Sequence, residues 1–422
     1  MTVVKGFRFS GVSAGIKKKV GALDLGLIVA DEPVPVAAVF TRNLVRAQPV
    51  HISEERILKS HRAQVCLVNS GNANACTGPA GMEAALNTTA AVAQALGTSA
   101  DYVLPSSTGV IGQVLPEAKV IAALPALVSG LHEGAVGTFA EAIMTTDRFP
   151  KVESATIQGE SKRGAATATV LAIGKGAGMF HPDLALAGEL PQPDGSGYDG
   201  GDVGGSELAG LHATMLVYIL TDAKASPEVL AAALDRAVDR TLSAATVDGD
   251  TSTNDSVYLL ASGKSGVEVG VDQLAEALAD VCGRLARSMV KDGEGAEHLV
   301  DLTVRGLESD AEARDIARVV ATSPLVKTAM AGKDANWGRL LAAAGRAGVP
   351  FDPNRASVYI GGHCILDSGR PGNAQTDAAV TQVMKGPEYT IELVLGSGPG
   401  EFTYLTCDFG HAYVDVNAGY RS

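Results

Sequence analysis

Apolar, β-branched residues along this chain fall into short runs at positions 25–29, 36–40, 65–68, 170–173, 358–360 and 389–395. Runs of that length bounded by Gly, Pro, Asn and Asp predict buried strands. Between them the period becomes helical. Ser226 stands where an N-cap is wanted and Pro227 at the first helical position, and Val229, Leu230, Ala233, Leu234, Ala237 and Val238 share one face. A second helix is predicted from Asp272, with Leu274, Leu278, Val281, Cys282, Leu285 and Met289 on one side. Arg284, Arg287 and Lys291 suit its negative end, and Gly293 is placed to stop it. Such alternation predicts an α/β protein whose sheets carry covering helices. The strand-like stretch 102–104 is followed by polar residues 106–112, which by themselves read as a turn.

Length and composition narrow the class. A chain of 422 residues has room for about two to three domains at roughly 150 residues each. With 46% hydrophobic and 19% charged residues, the composition of a disordered chain is excluded. Asp and Glu number 47 against 34 Lys and Arg, a net charge of −13, and the densest basic cluster is Lys17, Lys18 and Lys19. Nucleic acid and anionic membrane are therefore disfavoured as partners. Five cysteines, odd in number and never spaced as CxxC, give neither a disulfide framework nor a zinc ribbon, and no metal is expected. Lys5, Arg8, Lys17 and Asp24 interrupt any apolar leader, and the longest uncharged run, 63–82, is rich in Asn, Gly and Ser. A cytoplasmic protein is expected. Glycine, 49 residues, is spread over many turns, but six of them crowd with three aspartates between Pro191 and Ser206. That stretch can bury little and predicts a flexible loop or linker.

Candidate chemistry is sparse until several segments are taken together. The stretch Gly174-Lys175-Gly176-Ala177-Gly178 follows a predicted strand, yet matches neither GxxxxGK[ST] nor the full GxGxxG pattern. His212 is the one histidine beside a suggestive residue, Thr214, and a lone threonine in an apolar run is ordinarily a strand former. However, Ala213-Thr214-Met215-Leu216 followed by Thr221-Asp222-Ala223 closely resembles the self-cleavage segment of the ornithine acetyltransferase family. The likeness runs nearly end to end. Residues 69–78, Ser106-Ser107-Thr108-Gly109, Thr145-Thr146-Asp147, 175–179, 248–255, 291–296, 334–339 and 417–422 resemble family blocks in family order.

The resemblance implies a layered α/β sandwich of the ornithine acetyltransferase and self-processing aminopeptidase type. It implies scission between Ala213 and Thr214, giving an α chain of residues 1–213 and a β chain of 214–422. A threonine hydroxyl is a weak nucleophile, and a terminal amine of pKa about 7.7–8.0 can act as its base once the preceding peptide is cut. Thr214 is thus the implied nucleophile, taking acetyl from N-acetylornithine and passing it to glutamate, with Thr108 and Gly109 as the oxyanion hole. The same likeness assigns Lys175 to a substrate carboxylate and Glu294 to the ornithine ammonium. It gives Thr145 or Thr146, Asn417 and Ser422 hydrogen bonds to substrate. No cofactor is implied, acetyl-CoA is a candidate co-substrate, and a dimer of αβ pairs or larger is expected.

Where the family carries Pro-Asn-Met before the scissile Ala-Thr, this chain has a Gly/Asp-rich insert at about 183–210 and then Leu211-His212. Gly419 and Ser422 stand where the family has an acidic residue and a threonine. Two alternatives remain: a hydrolase or aminopeptidase in which water replaces glutamate, and an uncleaved, non-catalytic protein using the insert as a tether.

Overall fold

The structure is a computed structural model that describes residues 3–162, 164–190 and 214–419. It has two compact units: one of residues 3–243 and 251–285, the other of 244–250 and 286–419, each within the described residues.

The first unit holds β1 (Phe7–Val12), β2 (Leu25–Thr41), β3 (Arg62–Asn72), β4 (Val103–Val110), β5 (Lys151–Ser161), β6 (Gly164–Lys175), β7 (Leu184–Leu186), β8 (Leu216–Thr221) and β9 (Ser256–Ala261). Their order is β4-β3-β2-β9-β8-β6-β5, with β1 and β7 also paired to β2. The two predicted strands at 25–29 and 36–40 are one strand of 17 residues. Asp31 and Glu32 break the apolar run but are simply exposed, and a shift of register between Val29 and Val34 accommodates them. The first half of β2 pairs with β1 and β3, the second with β7 and β9. Alternate residues of β2 serve different cores. Leu25, Leu27 and Val29 pack with Val65, Val92 and Leu124, while Ile28 and Ala30 join Phe9, Phe139, Tyr218 and Tyr258. The sheet is therefore buried on both faces there, which is what a layered sandwich requires.

Helices α1 (Gln48–Ser60), α2 (Gly78–Leu96), α3 (Glu117–Ser129), α4 (Val136–Ala142), α5 (Pro227–Asp239) and α6 (Val271–Lys291) complete this part of the chain. Ser226 caps α5 by accepting the Val229 N–H at 3.4 Å, and Leu230, Ala233, Leu234, Ala237 and Val238 form its buried stripe. The predicted helix from Asp272 is α6, which stops two residues before Gly293.

The second unit holds β10 (Leu299–Leu307), β11 (Ser357–Ile360), β12 (His363–Asp367), β13 (Arg370–Pro371), β14 (Glu388–Val394) and β15 (Gly400–Cys407), in the order β13-β12-β11-β14-β10-β15. Helices α7 (Asp310–Ala321), α8 (Pro324–Ala331), α9 (Trp337–Ala344), α10 (Ala374–Val383) and α11 (His411–Gly419) accompany it. Val300, Leu302 and Val304 pack with Ile316, Val320 and Leu340 to form its core.

Two expectations are corrected. Residues 106–110 are strand and not turn, because the Ser106 and Ser107 hydroxyls are buried and bonded to Tyr258 Oη at 3.3 Å and Asn69 Oδ1 at 2.6 Å. The first residues of the stretch expected to be flexible, 184–190, are instead built into the fold, since β7 pairs with Val39, Phe40 and Thr41 of β2 and Leu190 is buried. The rest of the insert, with His212 and Ala213, lies outside the described residues, as does Ser422.

Candidate active site

Thr214 sits at the entrance to β8, a central strand, and is buried. The next residue fixes it in place: the Met215 N–H donates to Asp255 Oδ1 at 2.8 Å, and the Ser256 N–H donates to the Met215 carbonyl at 3.1 Å. From there β8 runs parallel to β9, Leu216 opposite Ser256. This register brings the segment before β9 against the threonine. Thr214 Oγ1 and Ser252 Oγ are 2.7 Å apart, and Ser252 Oγ accepts the Asn254 N–H at 3.1 Å. The Asn254 amide in turn donates to the Ala73 carbonyl at 2.8 Å and the Ser107 carbonyl at 2.9 Å.

Lys175, the last residue of β6 and opposite Leu216, is fully buried. Its ammonium donates to the Thr214 carbonyl at 2.8 Å, to Thr145 Oγ1 at 2.8 Å and to Thr108 Oγ1 at 3.2 Å. Three predicted site threonines thus converge on one cation. Asp147 supplies charge balance, lying 3.8 Å from Lys175 and 2.7 Å from Lys151, and it accepts the N–H groups of Thr145 and Gly176 at 3.0 and 2.9 Å. Burial works to raise the Asp147 pKa, but Lys175, Lys151 and these hydrogen bonds outweigh it and hold the carboxyl at about 2.

Thr108 and Gly109 lie side by side on β4. Because Thr108 Oγ1 accepts from Lys175, its own proton can be given to a developing oxyanion. Gly109 has φ of +134°, and a Cβ there would fall 2.3 Å from the Gly71 carbonyl carbon, so only glycine fits this approach. Of the two candidate threonines, Thr145 is the one on Lys175; Thr146 Oγ1 is buried with no hydrogen-bond partner among the described residues.

Glu294 and Asn417 belong to the second unit, where the sequence places them 123 positions apart and the fold joins them. Asn417 Nδ2 donates to Glu294 Oε2 at 2.9 Å and to the Tyr413 carbonyl at 3.0 Å. In the same unit Glu297, His298 and Asp408 bring potential metal-ligand atoms within 4.8 Å of one another. Asp408 is already committed there: Oδ1 accepts the N–H groups of Glu297 and His298, each at 2.8 Å, and Oδ2 is 3.2 Å from His298 Nδ1.

Sequence reasoning gave no role to Ser252, Asn254 or Asp147, although all three lie inside quoted blocks. A serine in a polar turn carries no distinguishing spacing. For Asp147 the available signal was Lys151 four positions on, which pairs with it in the fold.

The sequence profile of the ArgJ family matches residues 8–422. The chain belongs to the ArgJ family. It is 42% identical to the arginine biosynthesis bifunctional protein ArgJ of Geobacter sulfurreducens over 99% of this chain and 100% of that one. The protein of the same name from Nitratidesulfovibrio vulgaris is 42% identical over 99% of each chain. Among solved structures, ArgJ from Bacillus halodurans aligns at 34% identity and a TM-score of 0.46, covering 48% of this chain and 98% of that one. Ornithine acetyltransferase of Mycobacterium tuberculosis complexed with ornithine aligns at 41% identity and a TM-score of 0.38, covering 43% and 94%. Family membership bears out the resemblance drawn from the sequence blocks, and it favours neither the hydrolase nor the non-catalytic alternative.

Proposed function

We propose that this ArgJ-family enzyme of arginine biosynthesis moves acetyl from N-acetylornithine to glutamate through an acetyl ester on Thr214. The observation that carries the reading is the convergence of Thr214, Ser252, Lys175, Thr108 and Thr145 in one buried hydrogen-bonded cluster. Scission between Ala213 and Thr214 leaves chains of residues 1–213 and 214–422 and frees the Thr214 amine as a base. Thr214 Oγ1 then attacks the acetyl carbonyl and its proton passes to that amine. The Thr108 hydroxyl and Gly109 N–H take up the negative charge of the tetrahedral intermediate. Collapse breaks the C–N bond, ornithine leaves with the proton, and the glutamate amine attacks the ester to regenerate the threonine. Lys175 suits a substrate carboxylate, and Glu294, positioned by Asn417, suits the ammonium of ornithine. Ser422 and Thr146 are further hydrogen-bonding candidates, and acetyl-CoA is a second donor. An assembly of at least two αβ pairs in the cytoplasm fits this reading. No helix among the described residues is long and apolar enough to cross a membrane.

Intact mass and N-terminal sequencing, combined with an acetylornithine–glutamate assay, test the reading. Two fragments, one beginning at Thr214, are expected from active protein, and Thr214→Ala should abolish both scission and turnover. A single uncut chain with full activity would remove Thr214 from the chemistry.

A further inference from the structure

One titratable cluster of the second unit serves no step of the acetyl transfer. Strands β10 and β15 pair antiparallel with Leu299 opposite Cys407, and carrying that register one residue further sets His298 opposite Asp408, just outside both strands. Their side chains are only 3% and 2% exposed. Glu297 is exposed, and its carboxylate joins the imidazole and the Asp408 carboxylate in a set of ligand atoms that all lie within 4.8 Å of one another.

A buried imidazole beside a buried carboxylate ordinarily donates an N–H to it. Here it does not. His298 Nδ1 is 3.2 Å from Asp408 Oδ2, yet it has no hydrogen-bond partner among the described residues, so the oxygen lies off the axis of the ring nitrogen. Two groups about 3.3 Å apart are what a tetrahedral ion produces when it holds each at about 2.0–2.1 Å. Tyr389, on the neighbouring strand β14, has its ring centre 5.9 Å from that of His298, and its buried hydroxyl is also without a hydrogen-bond partner among the described residues. Burial chiefly, and Asp408 next, raise the Tyr389 pKa, which puts this second orphaned group in the field of the same carboxylate.

Charge argues in the same direction. Asp408 Oδ1 is spent on the N–H groups of Glu297 and His298, each at 2.8 Å, and Oδ2 faces the imidazole. The buried ammonium of Lys327 donates to Thr406 Oγ1 at 2.9 Å and to the Cys407 carbonyl, with Cys407 Sγ at 3.7 Å, so its three protons are directed at these groups and not at Asp408. Lys333 stands 3.6 Å from the outer carboxylate, Glu297. We propose that Glu297, His298 and Asp408 form a site for a divalent transition ion of the zinc class, bound through one Glu297 oxygen, His298 Nδ1 and Asp408 Oδ2, with water completing the shell. An imidazole with two carboxylates selects such an ion over calcium or magnesium, which take oxygen ligands. Glu294 lies three residues before Glu297, and Asp408 lies three residues before α11, which carries Asn417. The ion therefore ties together the two segments from which those side chains arise.

The test uses the whole protein, stripped with a chelator and titrated with zinc chloride in competition with a chromophoric chelator, and separately with cobalt chloride. The variants Glu297→Gln and His298→Gln are treated alike. The wild type should bind one zinc per protomer with a Kd tighter than about 0.1 mM, show the visible absorption of four-coordinate cobalt, and denature at a higher temperature with zinc than without. Glu297→Gln, at an exposed position, should leave the metal-free denaturation midpoint unchanged and weaken zinc about tenfold or more, a charged ligand having become a neutral one. His298→Gln should abolish the cobalt spectrum and the zinc-dependent rise in midpoint. Zinc bound as tightly by Glu297→Gln as by the wild type is adventitious binding elsewhere and overturns the site, as does a wild-type Kd weaker than about 0.1 mM. Should His298→Gln fail to fold, the Glu297→Gln comparison decides alone. Because the readouts are binding and stability, none of these outcomes depends on the chemistry at Thr214.

Discussion

At the scale of single residues, the hydroxyl pair of Thr214 and Ser252 carries the sharpest consequence. At 2.7 Å, with its oxygen also accepting the Asn254 N–H, Ser252 fixes the position of the Thr214 oxygen. Ser252→Ala removes that restraint without altering volume much, and kcat for acetyl transfer should fall about 10- to 100-fold with KM for acetylornithine nearly unchanged. Steady-state kinetics on cleaved protein check this, and a purely structural role would instead lower the denaturation midpoint. Asp147 makes a separate prediction about pH. Its folded pKa, held at about 2 by Lys175 and Lys151 against the opposing effect of burial, lies below an unfolded value near 3.9. Its contribution is therefore full above pH ~4 and drains away as pH falls through ~2, on the order of 2 kcal/mol. Urea midpoints between pH 5 and pH 2 should drop accordingly, and Asp147→Asn should be less stable at pH 7 yet flatter over that interval.

At the scale of elements, the site depends on a turn docked against strand ends. Asn254 joins the segment before β9 to β3 and β4 through the carbonyls of Ala73 and Ser107. Asn254→Ala strands two buried carbonyls, so a loss of about 2–4 kcal/mol in unfolding free energy is expected, measurable by denaturant titration. Gly109→Ala should be worse tolerated than a usual glycine substitution, since both its φ of +134° and the 2.3 Å approach to Gly71 forbid a side chain. The sequence made the long apolar strands legible, and Ser226-Pro227 marked the start of α5 because capping is a local matter. It hid the continuity of β2, where Asp31 and Glu32 look like a break but are exposed along an unbroken backbone. It also hid α2, whose buried stripe of Gly81, Ala84, Ala85, Thr88, Thr89, Val92 and Ala93 offers a single large apolar side chain, too little to register as a hydrophobic period. Most site residues were legible only as family blocks. The convergence on Lys175 joins the paired strands β6 and β8 to a side chain of the distant strand β4, which no local pattern encodes.

At the scale of the molecule, the order of strands determines what scission before Thr214 can do. Residues 1–213 contribute β1 to β7 of the first unit's sheet, and residues from 214 onward contribute β8 and β9. In space β9 and β8 lie between β2 and β6, so the second fragment's two strands are flanked on both sides by strands of the first. All six residues of β8 are buried, among them Leu216, Val217, Tyr218, Ile219 and Leu220. Withdrawing the strand would expose side chains worth roughly 1.5–3 kcal/mol each and unpair both of its edges. The new terminus at Thr214, by contrast, is anchored through its neighbour, because the Met215 N–H and carbonyl are already bound by Asp255 and Ser256. Cleaved protein should therefore behave as one particle until the sheet itself melts. With an affinity tag on the C-terminal fragment, the N-terminal fragment should co-purify in equal amounts under native conditions and separate only in about 6 M guanidinium, where the sheet is lost. Fragments that part on native chromatography would mean that β8 and β9 are not held between β2 and β6 in the mature protein.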